Sequence, residues 1–325
     1  MRFLRGGARR HAFLAALVGL ALLATACGGS GGGDTDADTQ VGDGGEATEQ
    51  SVERGEVVVG STNFDEQEIV ASMYAAVLEQ AGYSVERRFQ LGAREVVLPA
   101  LENGDIDLYP EYVGTALEFL NGGAGEATPD TEETTEKLRE EFAERGVEVL
   151  EPAPAQDKNG LVVTPETAQE NDLETVSDLE PVAGDLVFGG PPECPERPLC
   201  LQGYEKVYGL EFAEFRPLDA GGPVTTAALE NGDIDVALMF TTDGLIAEKD
   251  WILLEEDKDL QPAENIVPVI REDVVNDEIT QLLDEVSAQL TTEEVTELVR
   301  RVRVDAEDPA DVAEDWLSTN GFLEG

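Results

Sequence analysis

An eight-residue run, Ala100-Leu-Glu-Asn-Gly-Asp-Ile-Asp107, recurs without change 128 residues later as Ala228-Leu-Glu-Asn-Gly-Asp-Ile-Asp235. Each copy reads as the last turn of a helix, a glycine cap (Gly104, Gly232) in the left-handed conformation, and then a strand. The strands continue to Tyr109 in the first copy and to Phe240 in the second. Upstream of each copy the likeness goes on: a strand ending in glycine (Val57-Val58-Val59-Gly60; Leu186-Val187-Phe188-Gly189), a polar loop, and a helix that reaches Gly82 or Gly209. A duplicated α/β lobe is the simplest account. Two unrelated helix-cap-strand units would share residue types but not eight identities. At 325 residues, 41% of them hydrophobic, the chain can bury two such cores.

The expected architecture is two α/β lobes joined by two crossover segments. The chain is expected to change lobe after each repeat strand, so that lobe I is 56–110 plus 243–325 and lobe II is 111–242. Helices at 277–290, 292–301 and 308–317 then pack back onto lobe I. The first helix is expected to start at Asn63 as N-cap, with Glu66 three residues on completing a capping box. Pro223 suits a first helical position, whereas Pro99 falls inside the matching first-lobe helix and can kink it. Ligands of such folds bind where the strands end, in the cleft between the lobes.

The N-terminus reads as an export signal. Arg2, Arg5, Arg9 and Arg10 precede a short apolar run, 12–24, which is too short to span a bilayer. It closes on Leu23-Ala24-Thr25-Ala26-Cys27, which resembles the bacterial lipobox. Residues 1–26 are then a signal peptide, Cys27 is lipidated, and the protein is held at the outer face of the cytoplasmic membrane. The stretch 27–55 is acidic and Gly-rich, and it reads as a disordered tether. Cys194 and Cys200 remain as a pair, and an exported compartment favours a disulfide between them.

Charge and composition exclude several classes. Against 21 Lys and Arg stand 70 Asp and Glu, a formal charge of −49, which repels nucleic acid. The single histidine, His11, lies in the signal, so a histidine-based triad or zinc site is not expected. The acids are dispersed and form no EF-hand loop, so the acidity reads as a solvated coat and not a metal site. No cofactor is expected.

Four segments converge on the strand ends: Ser61 to Phe64, Tyr109 to Tyr112, Pro191-Pro192 with the cysteine loop, and Phe240 to Asp243. Aromatic residues make up only 6% of the chain, yet Phe64, Tyr109, Tyr112 and Phe240 all fall here. Ring faces hold a cation that has no proton to donate, at about 0.5–2 kcal/mol per contact, which suits a quaternary ammonium. Any of these rings could instead be lobe core. Partners for a solute carboxylate are Arg94, the hydroxyls of Thr115, Thr241 and Thr242, and backbone N–H groups near Asn63 and Thr115. Arg94 could equally serve an ion pair, and Asn63 a cap. Pro192 completes the list.

Gly60-Ser61-Thr62-Asn63-Phe64-Asp65-Glu66-Gln67, Ile106 to Ala116, Val207-Tyr208-Gly209-Leu210 and Phe240 to Gly244 together resemble the substrate-binding proteins of osmoprotectant ABC importers, which carry glycine betaine, choline, carnitine or related compounds. The likeness runs from Glu56 to Leu317. It implies a two-lobed periplasmic-binding-protein fold of type II that closes on its solute and presents it to an ABC permease; the receptor is expected to be a monomer and to transform nothing. Many members of the family build a box of tyrosines. Leu98 and Thr226 stand at two of those places, so the box is incomplete, with Tyr112 retained and Phe240 contributing. Three other readings remain: a receptor for a different small zwitterion or amino acid, a ligand sensor without transport, and a secreted enzyme working through a carboxylate pair such as Asp107 and Glu111.

Overall fold

A computed structural model describes residues 54–323. The signal peptide, Cys27 and the tether up to residue 53 lie outside the described residues. Arg54, counted with the tether, is fixed: its guanidinium grips Glu278 at 2.7 and 3.1 Å and covers the Tyr83 ring.

The first half of the chain runs β1 (Glu56–Gly60), α1 (Asp65–Gln80), β2 (Ser84–Arg88), α2 (Arg94–Glu102), β3 (Leu108–Tyr112), α3 (Val113–Leu120), α4 (Thr131–Ala143) and β4 (Val147–Val149). Next come β5 (Asn159–Val163), α5 (Pro165–Asn171), β6 (Val187–Gly190), α6 (Leu201–Gly203), β7 (Glu214–Pro217), α7 (Pro223–Glu230), β8 (Val236–Phe240), α8 (Leu245–Glu248) and β9 (Ile252–Leu253). The chain closes with β10 (Ile266–Arg271), α9 (Asp277–Ser287), α10 (Thr292–Arg303) and α11 (Pro309–Thr319). Two five-stranded sheets result, ordered β2-β1-β3-β10-β4 and β7-β6-β8-β5-β9. In each, three neighbouring strands are parallel and the fourth runs antiparallel, so the two sheets have the same plan.

The repeated octapeptide explains why the halves match. Gly104 and Gly232 both take positive φ, +75° and +69°, which a residue with a Cβ adopts only under strain. Asp107 and Asp235 each accept a hydrogen bond from the first strand of their lobe, Val58 N–H and Val187 N–H, both at 2.8 Å. Ile106 and Ile234 fill the space that a Cβ at Gly60 or Gly189 would need, at 2.5 and 2.6 Å. Each identity in these positions closes the same strand pair.

The lobe boundaries differ from the expected ones. After β3 the chain stays in the first lobe: Leu138 and Phe142 of α4 share a core with Tyr109, Val267 and Val269, and β4 pairs with β10. The first crossover comes between β4 and β5, the second between β9 and β10, and Gln156 and Asn265 pair where the two run side by side. The β8 strand likewise does not lead back to lobe I, since β9 borders the second sheet through β5. Burial of Val113, Ala116 and Leu117 of α3 and of Leu138 and Phe142 of α4 in the core that contains Tyr109 holds 111–149 in the first lobe.

Helix α1 is buried on almost every side, between its sheet and helices α9, α10 and α11, which do return to lobe I as expected. Its start is not the expected capping box. Phe64 is the N-cap residue, without a side-chain cap, and Glu66 lies inside the helix and buried. Pro99 sits on the exposed side of α2, within the helix.

Candidate functional site

The strand ends of both lobes face a common cleft whose empty space, mouth included, is about 920 Å³. Its walls carry Thr62, Asn63, Phe64 and Gln67 from the start of α1, Arg94 from α2, Glu111, Tyr112, Thr115 and Glu118 from β3 and α3, and Asp157 and Glu264 from the crossovers. Lobe II adds Pro191, Arg197, Leu199, Ala220 and Phe240. The Phe64 ring lies between two rings from equivalent repeat positions, Phe240 at 4.5 Å and Tyr112 at 6.2 Å between centroids. Phe64 and Tyr112 belong to lobe I and Phe240 to lobe II, so the aromatic row spans the gap.

Of the sequence candidates, Asn63, Phe64, Arg94, Tyr112, Thr115 and Phe240 line the cleft. Four do not. Tyr109 is fully buried in the lobe I core, its hydroxyl donating to Glu111 at 3.0 Å. Pro192 is exposed beside the wall that Pro191 forms. Thr241 and Thr242 lie beneath the floor, where Thr242 donates its hydroxyl to Glu66 and both residues donate to Asp157. Leu98 and Thr226 are also away from the cleft: Leu98 is core, and the Thr226 hydroxyl donates to Gly222 O at 2.9 Å.

Arg94 is neutralised in place. Its Nε and Nη2 donate to both oxygens of Glu111 at 2.5 and 2.7 Å, and Nη2 also donates to the Thr115 hydroxyl at 2.7 Å. Among the described residues Nη1 has no partner, so this one edge of the guanidinium is free. The rest of the site is acidic. Burial pushes Glu264 up to about 8, and its Oε1 has no partner among the described residues. Burial also raises Glu66 to about 7, and burial with the nearby Glu66 charge drives Asp157 well above the usual carboxylate range. The Thr62 hydroxyl, likewise buried on the wall, has no partner either.

Reasoning from sequence missed Asp157, Glu118 and Glu264. Among 70 acids nothing local marks these three, and only the fold shows that they are buried. Glu118 shapes the rim: its carboxylate accepts from the N–H groups of Gly125, Glu126 and Ala127 at 2.7–2.8 Å. The carboxylate pair considered for acid/base work is committed elsewhere, Asp107 to Val58 N–H and Glu111 to Arg94. Among the described residues no three of His, Cys, Asp and Glu group as metal ligands do.

The cysteine loop closes one side. Cys194 and Cys200 are bonded, with Cα atoms 5.2 Å apart, and Arg197 between them reaches Glu95 of lobe I with two hydrogen bonds at 2.9 and 3.2 Å. This contact joins the Phe64–Phe240 stack and the Glu66–Thr242 hydrogen bond in linking the lobes across the cleft.

The raised acids fix a pH dependence. A carboxyl whose folded pKa exceeds its unfolded value of about 4.5 destabilises the fold progressively as pH rises from there to the folded value. Thermal stability of the solute-free protein is therefore expected to fall from pH 5 to pH 8.5. Glu264→Gln removes one of the titrating groups and should flatten that slope in melting curves, and an unchanged slope would contradict the placement of this group.

Two lobes of one plan, joined by a double crossover and meeting over an aromatic, acid-lined cleft, define a two-lobed solute-binding protein. Residues 55–319 match the family described as the substrate binding domain of ABC-type glycine betaine transport system, and the chain belongs to that family. It is 28% identical over 277 residues to the glycine betaine-binding protein YehZ of Escherichia coli K12, covering 82% of this chain and 91% of that one. It is also 28% identical to the ergothioneine transport permease/ergothioneine binding protein EgtU of Helicobacter pylori, covering 84% of this chain and 49% of the longer relative. A crystal structure of a glycine betaine/carnitine/choline ABC transporter protein superposes with a TM-score of 0.65 at 25% identity, covering 82% of this chain and all of that one. The chain is thus the substrate-binding component of an ABC-type transport system, on the extracytoplasmic side. Among the described residues no helix is long and apolar enough to cross a membrane.

Proposed function

We propose that the chain captures a solute bearing a trimethylammonium group and delivers it, unchanged, to an ABC permease. The observation that carries this reading is the row of Tyr112, Phe64 and Phe240 across a cleft also lined by Asp157 and Glu264. Methyls on nitrogen donate no hydrogen bonds, so such a cation is held by ring faces and by carboxyls that its own charge favours in the ionised form. Glycine betaine, carnitine, choline and ergothioneine, which relatives are named for, all carry this group. The free Nη1 of Arg94 and the exposed Asn63 amide offer donors to a carboxylate on the same solute. Since the lobes already touch through Phe64–Phe240 and Arg197–Glu95, a solute that contacts both favours the closed form by its differential affinity.

The N-terminal segment completes the proposal: acylation at Cys27 and a tether hold a monomeric receptor near its permease at the outer face of the membrane. A thermal-shift series with glycine betaine, choline, carnitine, ergothioneine and common amino acids tests the reading. A solute at 100 times its dissociation constant stabilises by about 2.7 kcal/mol, and a trimethylammonium compound is expected to give the largest rise. A larger rise with a primary-amine amino acid would favour the other zwitterion class instead.

A further inference from the structure

The C-terminal end of α10 belongs to lobe I by its packing, yet its last turn leans on lobe II. Arg300 lies against Gly244, where a Cβ would meet Arg300 Cβ at 2.6 Å, and Val304 packs on the lobe II core that contains Ala228 and Leu229. Between them stands Arg303, its side chain only 10% exposed. Its Nη2 donates to Gly221 O at 2.8 Å and to the Thr226 hydroxyl at 3.1 Å, and lies 3.4 Å from Asp243. Its Nη1 lies 3.5 Å from Asp65.

These partners are not scattered. Asp65 follows Phe64 directly, and Asp243 lies three residues after Phe240. Gly221 lies under Phe240, where a Cβ would meet its ring at 3.9 Å, and follows Ala220 of the cleft wall. One guanidinium thus ties the backbone that carries each half of the inter-lobe phenylalanine stack, from a position that does not line the cleft. We propose that Arg303 is a positioning residue for solute capture: it holds the Phe64 and Phe240 loops in register and so sets how much of the protein is closed. The inference rests on the cleft being the solute site, and it deepens that reading by placing part of the affinity outside the cleft. An arginine suits the place, because its planar fork serves a carbonyl, a hydroxyl and two carboxylates together, and lysine offers one point charge instead.

The affinity of a solute falls in proportion to the closed, binding-competent fraction. In the full-length chain Arg303→Ala is therefore expected to weaken glycine betaine about tenfold, through faster release and with little change in the association rate, and Arg303→Lys should recover part of the loss. Thr226→Ala, which removes one partner and leaves the arginine, should act in the same direction and more weakly. Small-angle scattering of the solute-free protein gives a readout that needs no solute: Arg303→Ala should enlarge the radius of gyration relative to the parent. Unchanged radius and unchanged release rate beside a lowered melting temperature would overturn the proposal and leave Arg303 a structural residue. If the parent protein fails to bind glycine betaine, the cleft reading suffers and the scattering comparison alone decides for or against Arg303.

Discussion

Replacing Arg94 by alanine is expected to destabilise the protein by about 3–5 kcal/mol, because it strands the buried Glu111 carboxylate without its cation. Both side chains are almost wholly out of water, at 8% and 2% exposure, so solvent cannot take over the role of the missing guanidinium. The Tyr109 hydroxyl and the Tyr112 N–H still donate to Glu111, but neither carries charge. Denaturant unfolding of Arg94→Ala measures the loss. The double variant Arg94→Met with Glu111→Gln is expected to recover much of it, since a neutral amide still accepts from Tyr109 and leaves no buried charge. A single-variant loss below about 1 kcal/mol, the range of exposed pairs, would show that water reaches this site. Solute affinity should not return in the double variant, because the free Nη1 edge is gone.

The second large effect concerns Tyr112, whose ring lines the cleft and whose hydroxyl donates to Glu66 at 2.7 Å. Tyr112→Ala should cost about 3–5 kcal/mol in stability from the space it opens and should weaken a trimethylammonium solute by roughly one to two orders of magnitude. Tyr112→Phe keeps the ring and loses a single hydrogen bond, so its affinity should stay within a few fold of the parent. Calorimetric titration separates the two cases. Equal losses in the two variants would assign the contact to the hydroxyl and remove the ring from the account.

The duplication was legible because its identical residues serve the backbone: a glycine at positive φ, an aspartate for a strand N–H, an isoleucine under a glycine. The aromatic row was legible in part for the same reason, since Tyr112 and Phe240 occupy equivalent places in the repeat. Where the chain changes lobe was not, because β4 is only three residues long and its partner β10 lies more than a hundred residues away. Glu66 was misread for a related reason. An acid three residues after Asn63 fits a capping box, and only the packing of Tyr112 and Thr242 around it shows a buried carboxyl between the lobes. Arg94 proved to be both an ion-pair residue and part of the cleft wall.

The central claim is that the cleft recognises a positive charge that has no hydrogen to give. Glycine betaine and 3,3-dimethylbutanoate share shape and carboxylate and differ in the charge at the branched atom, nitrogen in one and carbon in the other. Calorimetry of both on the full-length protein isolates that difference. The account predicts saturable one-site binding of glycine betaine and affinity at least about tenfold weaker for the carbon analogue, which brings an uncompensated anion to an acidic cleft. Comparable affinity for the two, or tighter binding of the carbon analogue, would contradict it.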